Sequence, residues 1–140
     1  AYNEYISIWL ALISKISQSS SLTLRDFHSP NLLWVDNEKG LRRCGIIDFQ
    51  DALIGHPLYD VISLTQDARI DINKELETQI LNYYIELNYS ESPTDLRADI
   101  MQVYYIIATQ RCFEILGVFA RLSMSNIIPE YLLHMSRIIG

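Results

Sequence analysis

Two stretches decide the fold: Leu24-Arg25-Asp26-Phe27-His28-Ser29-Pro30-Asn31 and its counterpart Ile47-Asp48-Phe49-Gln50-Asp51. Between them lie two apolar runs, 32–35 and 43–47, separated by the polar stretch 36–40. Apolar runs on either side of a polar, glycine-containing turn are typical of a β-hairpin. We therefore predict that Asp26, Asn31 and Asp48 meet at one end of a small sheet.

Asp26, Asn31 and Asp48 are the residue types that phosphoryl transfer needs in one place. An aspartate orients and deprotonates the attacking hydroxyl, while an asparagine oxygen and a second carboxylate bind Mg²⁺ on the nucleotide phosphates. Mg²⁺ prefers hard oxygen ligands and keeps several waters. The spacing Asp-x-x-x-x-Asn, followed by Asp-Phe, matches the catalytic loop and metal-binding aspartate of protein-kinase-like enzymes. We interpret Asp26 as catalytic and Asn31 and Asp48 as metal ligands.

The same segment resembles still more closely the aminoglycoside phosphotransferase and choline kinase group of small-molecule kinases. In that group a histidine commonly stands two residues after the catalytic aspartate, as His28 does here. The stretches 48–52 and 55–61 resemble the segment that carries the metal-binding aspartate and leads into the next helix. Within this group, the sequence of these stretches is most similar to that of bacterial phosphotransferases related to cell-wall amino-sugar kinases. The resemblance is close over 22–69 and looser over most of the remaining chain.

The resemblance implies a mostly α fold with a small β-hairpin, the helical C-terminal lobe of a protein-kinase-like fold. It implies ATP as co-substrate, Mg²⁺ as cofactor and a small-molecule acceptor, an amino sugar or an aminoglycoside-like compound. Asp60 matches an aspartate that braces the catalytic loop from behind through hydrogen bonds. His28 is either a substrate-contacting or loop-bracing residue or a neutral core histidine bonded to the backbone, and we favour the second. Arg25 either orients the Asp26 carboxylate or, as kinase analogy favours, points away from the chemistry.

Three residues depart from the pattern or leave their role open. Leu24 stands where these loops usually carry histidine, and Gln50 stands where protein kinases place glycine. Asp51 adds a nearby carboxylate, either a further metal ligand or a solvated turn residue. These departures keep an alternative open, a catalytically silent kinase-like module that binds a ligand or a partner.

The length of 140 residues and 16.2 kDa predicts one domain, residues 1–140. A complete kinase of this type is about twice as long, because an N-terminal lobe carries the phosphate-binding Lys. No Gly-rich loop before a strand and no Val-Ala-x-Lys pattern occurs in the sequence. We therefore expect the chain to lack the nucleotide-binding lobe, to leave the cofactor-binding residues of that lobe undefined, and to fold without transferring phosphate.

The net charge of −6 argues against a nucleic-acid or anionic-membrane surface. No apolar run is long enough to predict a membrane span. Cys44 and Cys112 have no metal-ligand spacing and are predicted to be buried free thiols, which favours a cytoplasmic protein.

Apolar periodicity predicts helices over 2–17, 58–66, 74–88, 94–122 and 130–139. The first helix carries an apolar stripe predicted to pack on one side, and Gly117 in the long helix is a candidate kink or close-packing point. Positions on the long helix that either face an acceptor cleft or belong to the core are Tyr104, Tyr105, Gln110 and Arg111.

Overall fold

The computed structural model describes residues 1–16, 21–67, 70–90 and 96–124. Within these ranges the helices are α1 Tyr2–Ile13, α2 Leu58–Thr65, α3 Lys74–Tyr89 and α4 Leu96–Met124. Short strands form two small antiparallel sheets. The prediction of a mostly helical chain with a small β-hairpin is confirmed. The helix predicted over 130–139 lies outside the described residues.

The predicted hairpin consists of β2 Leu32–Trp34 and β3 Cys44–Ile46, paired antiparallel with Leu32 opposite Ile46. Its strands are shorter than predicted, because a 3-10 turn over Gly40–Arg43 precedes β3. Gly40 has a φ of +58°, the left-handed region that glycine adopts without steric cost. The hairpin therefore returns the chain to the end at which Asn31 lies.

A second sheet pairs β1 Ser21–Thr23 with β4 Leu53–Gly55, and the sequence pattern did not predict it. A Cβ atom at Gly55 would lie 3.0 Å from Thr23 Oγ1, so a side chain at Gly55 would crowd the buried threonine. This pairing connects the segment before the loop 24–31 to the segment that leads into α2.

The core lies between α2, α3 and α4. Its buried side chains are Leu58, Ile62, Leu81, Ile85, Ile100, Val103, Tyr104, Ile107 and Ala108. Burying one of the leucine, isoleucine or valine side chains contributes about 1.5–3 kcal/mol to the stability of the fold. Tyr104 is only 1% exposed, so its ring belongs to this core and not to an acceptor cleft.

A buried polar network joins the three core helices at Glu77. Its carboxylate accepts hydrogen bonds from the Tyr104 hydroxyl at 2.7 Å, Lys74 Nζ at 3.0 Å and Gln66 Nε2 at 3.2 Å. Burial raises the pKa of Glu77, but these hydrogen bonds and the Lys74 charge outweigh burial and lower it below its ordinary value. Glu77 is therefore a charged anchor for the helix packing.

The one-sided packing predicted for α1 is largely wrong. Tyr5, Ile8 and Ile13 are each about half exposed, and no residue of α1 is buried. Among the described residues, Trp9 meets the Phe113 ring edge to face, with centroids 6.0 Å apart, and Ile16, just after the helix, packs on the core.

Three smaller expectations were also tested. Cys44 is exposed and Cys112 half-buried, so the prediction of buried thiols is wrong for Cys44, although both are free. Among the described residues, a Cβ at Gly117 would meet no neighbour within 4 Å, which removes the close-packing interpretation. By length and composition alone, the segment Leu96–Leu122 could cross a membrane, a test that core helices also pass.

Candidate active site

The loop 24–31 is held by its backbone. The Asp60 carboxylate, on the first turn of α2, accepts hydrogen bonds from the Leu24 N–H at 2.8 Å and the Arg25 N–H at 3.0 Å. Arg25 has a φ of +70°, a conformation that costs energy in a residue other than glycine. Because both N–H groups bind the Asp60 carboxylate, the left-handed conformation of Arg25 is held in place directly before Asp26.

Ser63 holds the other side of the same peptide, and sequence reasoning missed it. Its hydroxyl donates to the Arg25 carbonyl at 3.0 Å, and its side chain is fully buried. Residues three apart lie on one face of a helix, so Asp60 and Ser63 point to the loop together. No motif marks Ser63 in the sequence, because its burial and its hydrogen bond depend on how α2 packs against the loop.

Asp26, Asn31 and Asp48 are brought together by the Asn31 side chain. Its Nδ2 donates to the Asp26 carbonyl at 2.9 Å and lies 3.4 Å from Asp48 Oδ2. Asn31 is buried, and its carbonyl accepts from the Ile47 N–H at 3.0 Å, which ties the loop to the end of the hairpin. Because Nδ2 faces the Asp26 carbonyl and Asp48, the amide oxygen Oδ1 points away from these two groups.

Asp48 is held in a constrained position beside Asn31. Its φ of +60° is left-handed, a region that aspartate and asparagine tolerate better than other residues with a side chain. Gln50, the departure noted in the sequence, donates from Nε2 to Asp48 Oδ1 at 2.7 Å. The glutamine thus orients the carboxylate, a contact that glycine could not make.

These side chains fit Mg²⁺ by the chemistry of their donors. Asn31 and Asp48 carry amide and carboxylate oxygens, the hard ligands that Mg²⁺ prefers, on side chains that approach to 3.4 Å. Within the described ranges no group of three or more His, Cys, Asp or Glu residues could hold a metal ion. Mg²⁺ takes few protein ligands and keeps several waters, so the donor chemistry of these two residues is compatible with it.

His28 lies under the loop and is 5% exposed. Its Nε2 is 3.5 Å from Asn31 Nδ2, and its backbone carbonyl accepts from the Asn31 N–H at 2.9 Å. The ring is therefore placed to support the asparagine from below.

A cavity of about 270 Å³ opens at Asp26, between the loop and α4. Its polar lining includes Arg25, Tyr59, Arg111 and Glu114. The Arg25 side chain turns to α4, where Nη2 lies 3.9 Å from Glu114 Oε1 in a half-exposed ion pair. Burial raises the pKa of the Tyr59 hydroxyl, an effect that the charge of Arg111 partly offsets.

A larger cavity of about 620 Å³ lies alongside, between α2, the start of α3 and α4. Asp67, Arg111 and Ile115 line both cavities, and Tyr105 lines the larger one. Gln110 lines neither of these two cavities and lies beside two others near His56. Of the four helix positions left open above, Arg111 is the one that lines the cavity at Asp26.

A family model described as the phosphotransferase enzyme family matches residues 3–97, which include the loop 24–31, Asp48 and Asp60. The chain belongs to this phosphotransferase family. The predicted family membership is thereby confirmed.

Three bacterial relatives of this phosphotransferase chain are each named N-acetylmuramate/N-acetylglucosamine kinase. The protein from Caulobacter vibrioides is 32% identical over 132 residues, covering 94% of this chain and 35% of the relative. Those from Neisseria meningitidis and Pseudomonas aeruginosa are 30% and 28% identical, covering 76% and 88% of this chain and 31% and 36% of the relatives. The chain spans about a third of the length of these relatives.

We expect Asp60→Asn to destabilise this phosphotransferase chain by about 1–3 kcal/mol, the cost of leaving a buried donor without its partner. An asparagine has one acceptor oxygen, so either the Leu24 or the Arg25 N–H would face an NH₂ group. Urea unfolding should show a lower midpoint with an unchanged slope. The matched control is Asp36→Asn on the exposed hairpin turn, expected within about 0.5 kcal/mol of the parent. Equal unfolding free energies for both variants would contradict the bracing role.

Proposed function

We propose that the full-length protein is an ATP-dependent kinase that phosphorylates a hydroxyl group of a small amino sugar. The observation that carries this proposal is the Asn31 amide, which joins the Asp26 loop to Asp48 beside a cavity that Asp26 lines. The relatives' names supply the acceptors to test first, N-acetylmuramate and N-acetylglucosamine.

Asp26 is the residue that meets the acceptor. Its side chain lines the cavity while its backbone is fixed by hydrogen bonds to Leu24, His28 and Asn31. A carboxylate held in this way aligns the acceptor hydroxyl and accepts its proton as the oxygen attacks the phosphorus. Positioning of this kind supplies much of the rate in phosphoryl transfer.

Asn31 and Asp48 would hold Mg²⁺ through their side-chain oxygens. When bound, the ion neutralises charge on the nucleotide phosphates. Asn31 also fixes the distance between the two acidic residues, because one amide bonds to the Asp26 carbonyl and to the Asp48 carboxylate. His28, Asp60 and Arg25 then serve the geometry of the loop and leave the chemistry to Asp26.

We further propose that this chain is the C-terminal lobe of the enzyme, and that an additional lobe binds the nucleotide. The surface of the hairpin supports this, because Trp34 and Phe49 are 66% and 59% exposed. Apolar side chains left open to water in this way are typical of surfaces that another domain covers. The free thiols of Cys44 and Cys112 suit a cytoplasmic location.

The direct test is a phosphate-transfer assay of the full-length protein with Mg²⁺ and ATP. N-acetylmuramate, N-acetylglucosamine and several aminoglycosides serve as acceptors. We expect transfer to at least one amino sugar and none without Mg²⁺. The 140-residue chain alone is the matched control and should transfer no phosphate, because we place the phosphate-binding lysine in the additional lobe.

Two results would change this proposal. Full-length protein that binds ATP but phosphorylates no acceptor would favour the catalytically silent binding module. Robust turnover by the 140-residue chain alone would remove the assignment as a C-terminal lobe.

A further inference from the structure

Arg111 is a buried cation that the proposed chemistry does not use. The side chain lies on α4, is 8% exposed and lines both cavities next to the catalytic loop. Its Nη1 donates to the Tyr59 hydroxyl at 3.0 Å and lies 3.5 Å from the Arg25 carbonyl. Within the described part of the chain, its buried Nε has no hydrogen-bond partner. The guanidinium therefore keeps hydrogen-bonding capacity that the described residues do not use.

Among the described residues, Arg111 reaches a carboxylate only through the Tyr59 hydroxyl, which accepts from Arg111 at 3.0 Å and donates to Glu114 Oε2 at 3.2 Å. In that part of the chain, no carboxylate forms an ion pair with Arg111, and Glu114 is paired with Arg25 instead. Keeping a cation in a buried site is unfavourable unless an anion compensates its charge. A planar guanidinium binds carboxylate groups through two parallel hydrogen bonds. Arg111 thus has the chemistry of a carboxylate-binding group.

The position of Arg111 decides which substrate would carry the anion. The two cavities that it lines contain Asp26 but neither Asn31 nor Asp48, the residues proposed for the metal and the nucleotide phosphates. The smaller cavity has one other cation in its lining, Arg25, and that side chain is paired with Glu114, so Arg111 is the cation of this lining that an anion would meet. The anion therefore belongs to the acceptor side of the site.

We propose that Arg111 binds a carboxylate group carried by the acceptor, and so favours an acidic amino sugar over a neutral one. The inference rests on the proposed function. N-acetylmuramate differs from N-acetylglucosamine by a lactyl ether that ends in a carboxylate, so this pair of sugars isolates the interaction. The adjoining cavity of about 620 Å³ gives room for a substituent beyond the sugar ring.

The test compares sugar affinities of the full-length protein by calorimetry. We expect the parent protein to bind N-acetylmuramate more tightly than its methyl ester, by about 10-fold or more, the usual value of a charge-assisted pair. Arg111→Lys should remove most of this advantage, because an ammonium cannot form the two-bond fork. Its affinity for N-acetylglucosamine should stay within about 3-fold. Arg121→Lys, an exposed change on the same helix, is the control and should alter neither affinity.

The outcomes separate this inference from the proposed function. Equal affinity of the parent protein for N-acetylmuramate and its ester would overturn the inference, even if no Arg111 variant folds. If Arg111→Lys lost the same affinity for both sugars, the inference would be wrong, and Arg111 would only hold the Arg25 carbonyl in place. If N-acetylmuramate bound through Arg111 but no phosphate were transferred, the inference about Arg111 would hold and the proposed kinase function would be wrong. Phosphate transfer to N-acetylmuramate and N-acetylglucosamine with no preference for either would support the kinase proposal and overturn the inference about Arg111.

Discussion

Asp26→Asn in the full-length protein is expected to lower kcat by about 10²–10⁴-fold, the usual loss when a general base is removed. The melting temperature and the affinity for ATP should change little. Steady-state kinetics with a saturating amino sugar, together with thermal unfolding of the same preparation, measure both quantities.

The structure explains why activity and stability should separate at Asp26. The fold uses its backbone, since the Asp26 N–H donates to the Leu24 carbonyl and the Asp26 carbonyl accepts from the His28 N–H and Asn31 Nδ2. Within the described residues, no hydrogen bond to its carboxylate is formed. Asparagine has nearly the same shape, so the substitution removes the proton acceptor and leaves the loop intact.

Asp60→Asn should behave in the opposite way to Asp26→Asn, because the Asp60 side chain accepts hydrogen bonds from the loop and does not line the cavity at Asp26. Its variant should lose stability, with activity reduced only through a loosened loop. If Asp26→Asn lowered the melting temperature strongly while activity survived, the catalytic assignment would be wrong even for a member of this family.

The hairpin was predictable because its signal is local. Two apolar runs with a polar, glycine-containing turn between them require only neighbouring residues to be read together. The sheet of β1 and β4 has no such signal, since each strand has three residues and its partner lies beyond the hairpin. Pairings between segments distant in sequence depend on tertiary packing, which propensity does not encode.

The apolar stripe of α1 shows a different limit. Periodicity predicts which face of a helix is apolar, but not what covers that face. In the described structure only Trp9, Leu12 and Ile16 of that stripe are partly buried, and Tyr5 and Ile8 remain open. The helix was predictable and its packing was not.

At the candidate site, the residue types and the support from Asp60 were readable from the sequence, whereas the support from Ser63 and Gln50 was not. Asp26, Asn31 and Asp48 follow from a spacing that few other sites share. Ser63 and Gln50 carry no motif of their own, and their hydrogen bonds to Arg25 and Asp48 depend on how α2 and the loop after β3 are placed. Supporting residues of this kind emerge only from coordinates.

Asp48→Asn in the full-length protein should raise the Mg²⁺ concentration for half-maximal activity by at least about 10-fold. Even outer-shell partners of a metal site cost about 10–100-fold in affinity when removed. Asparagine is the suitable replacement, because it tolerates the φ of +60° at this position and can still accept the hydrogen bond from Gln50. Alanine would combine backbone strain with ligand loss. Activity titrated with MgCl₂ at fixed ATP gives the measurement.

Asp51→Asn provides the control, since it removes the same charge from an exposed carboxylate three residues further along. If Asp51 is a solvated turn residue, its variant should keep the parental Mg²⁺ requirement. A matching rise in both variants would mean that the local negative charge attracts the ion, or that Asp51 is also a ligand. Unchanged Mg²⁺ dependence in Asp48→Asn would remove Asp48 from the metal site. Asn31 would then hold the hairpin to the loop without a metal role, because its bonds to the Asp26 and Ile47 backbone do not involve the Asp48 carboxylate.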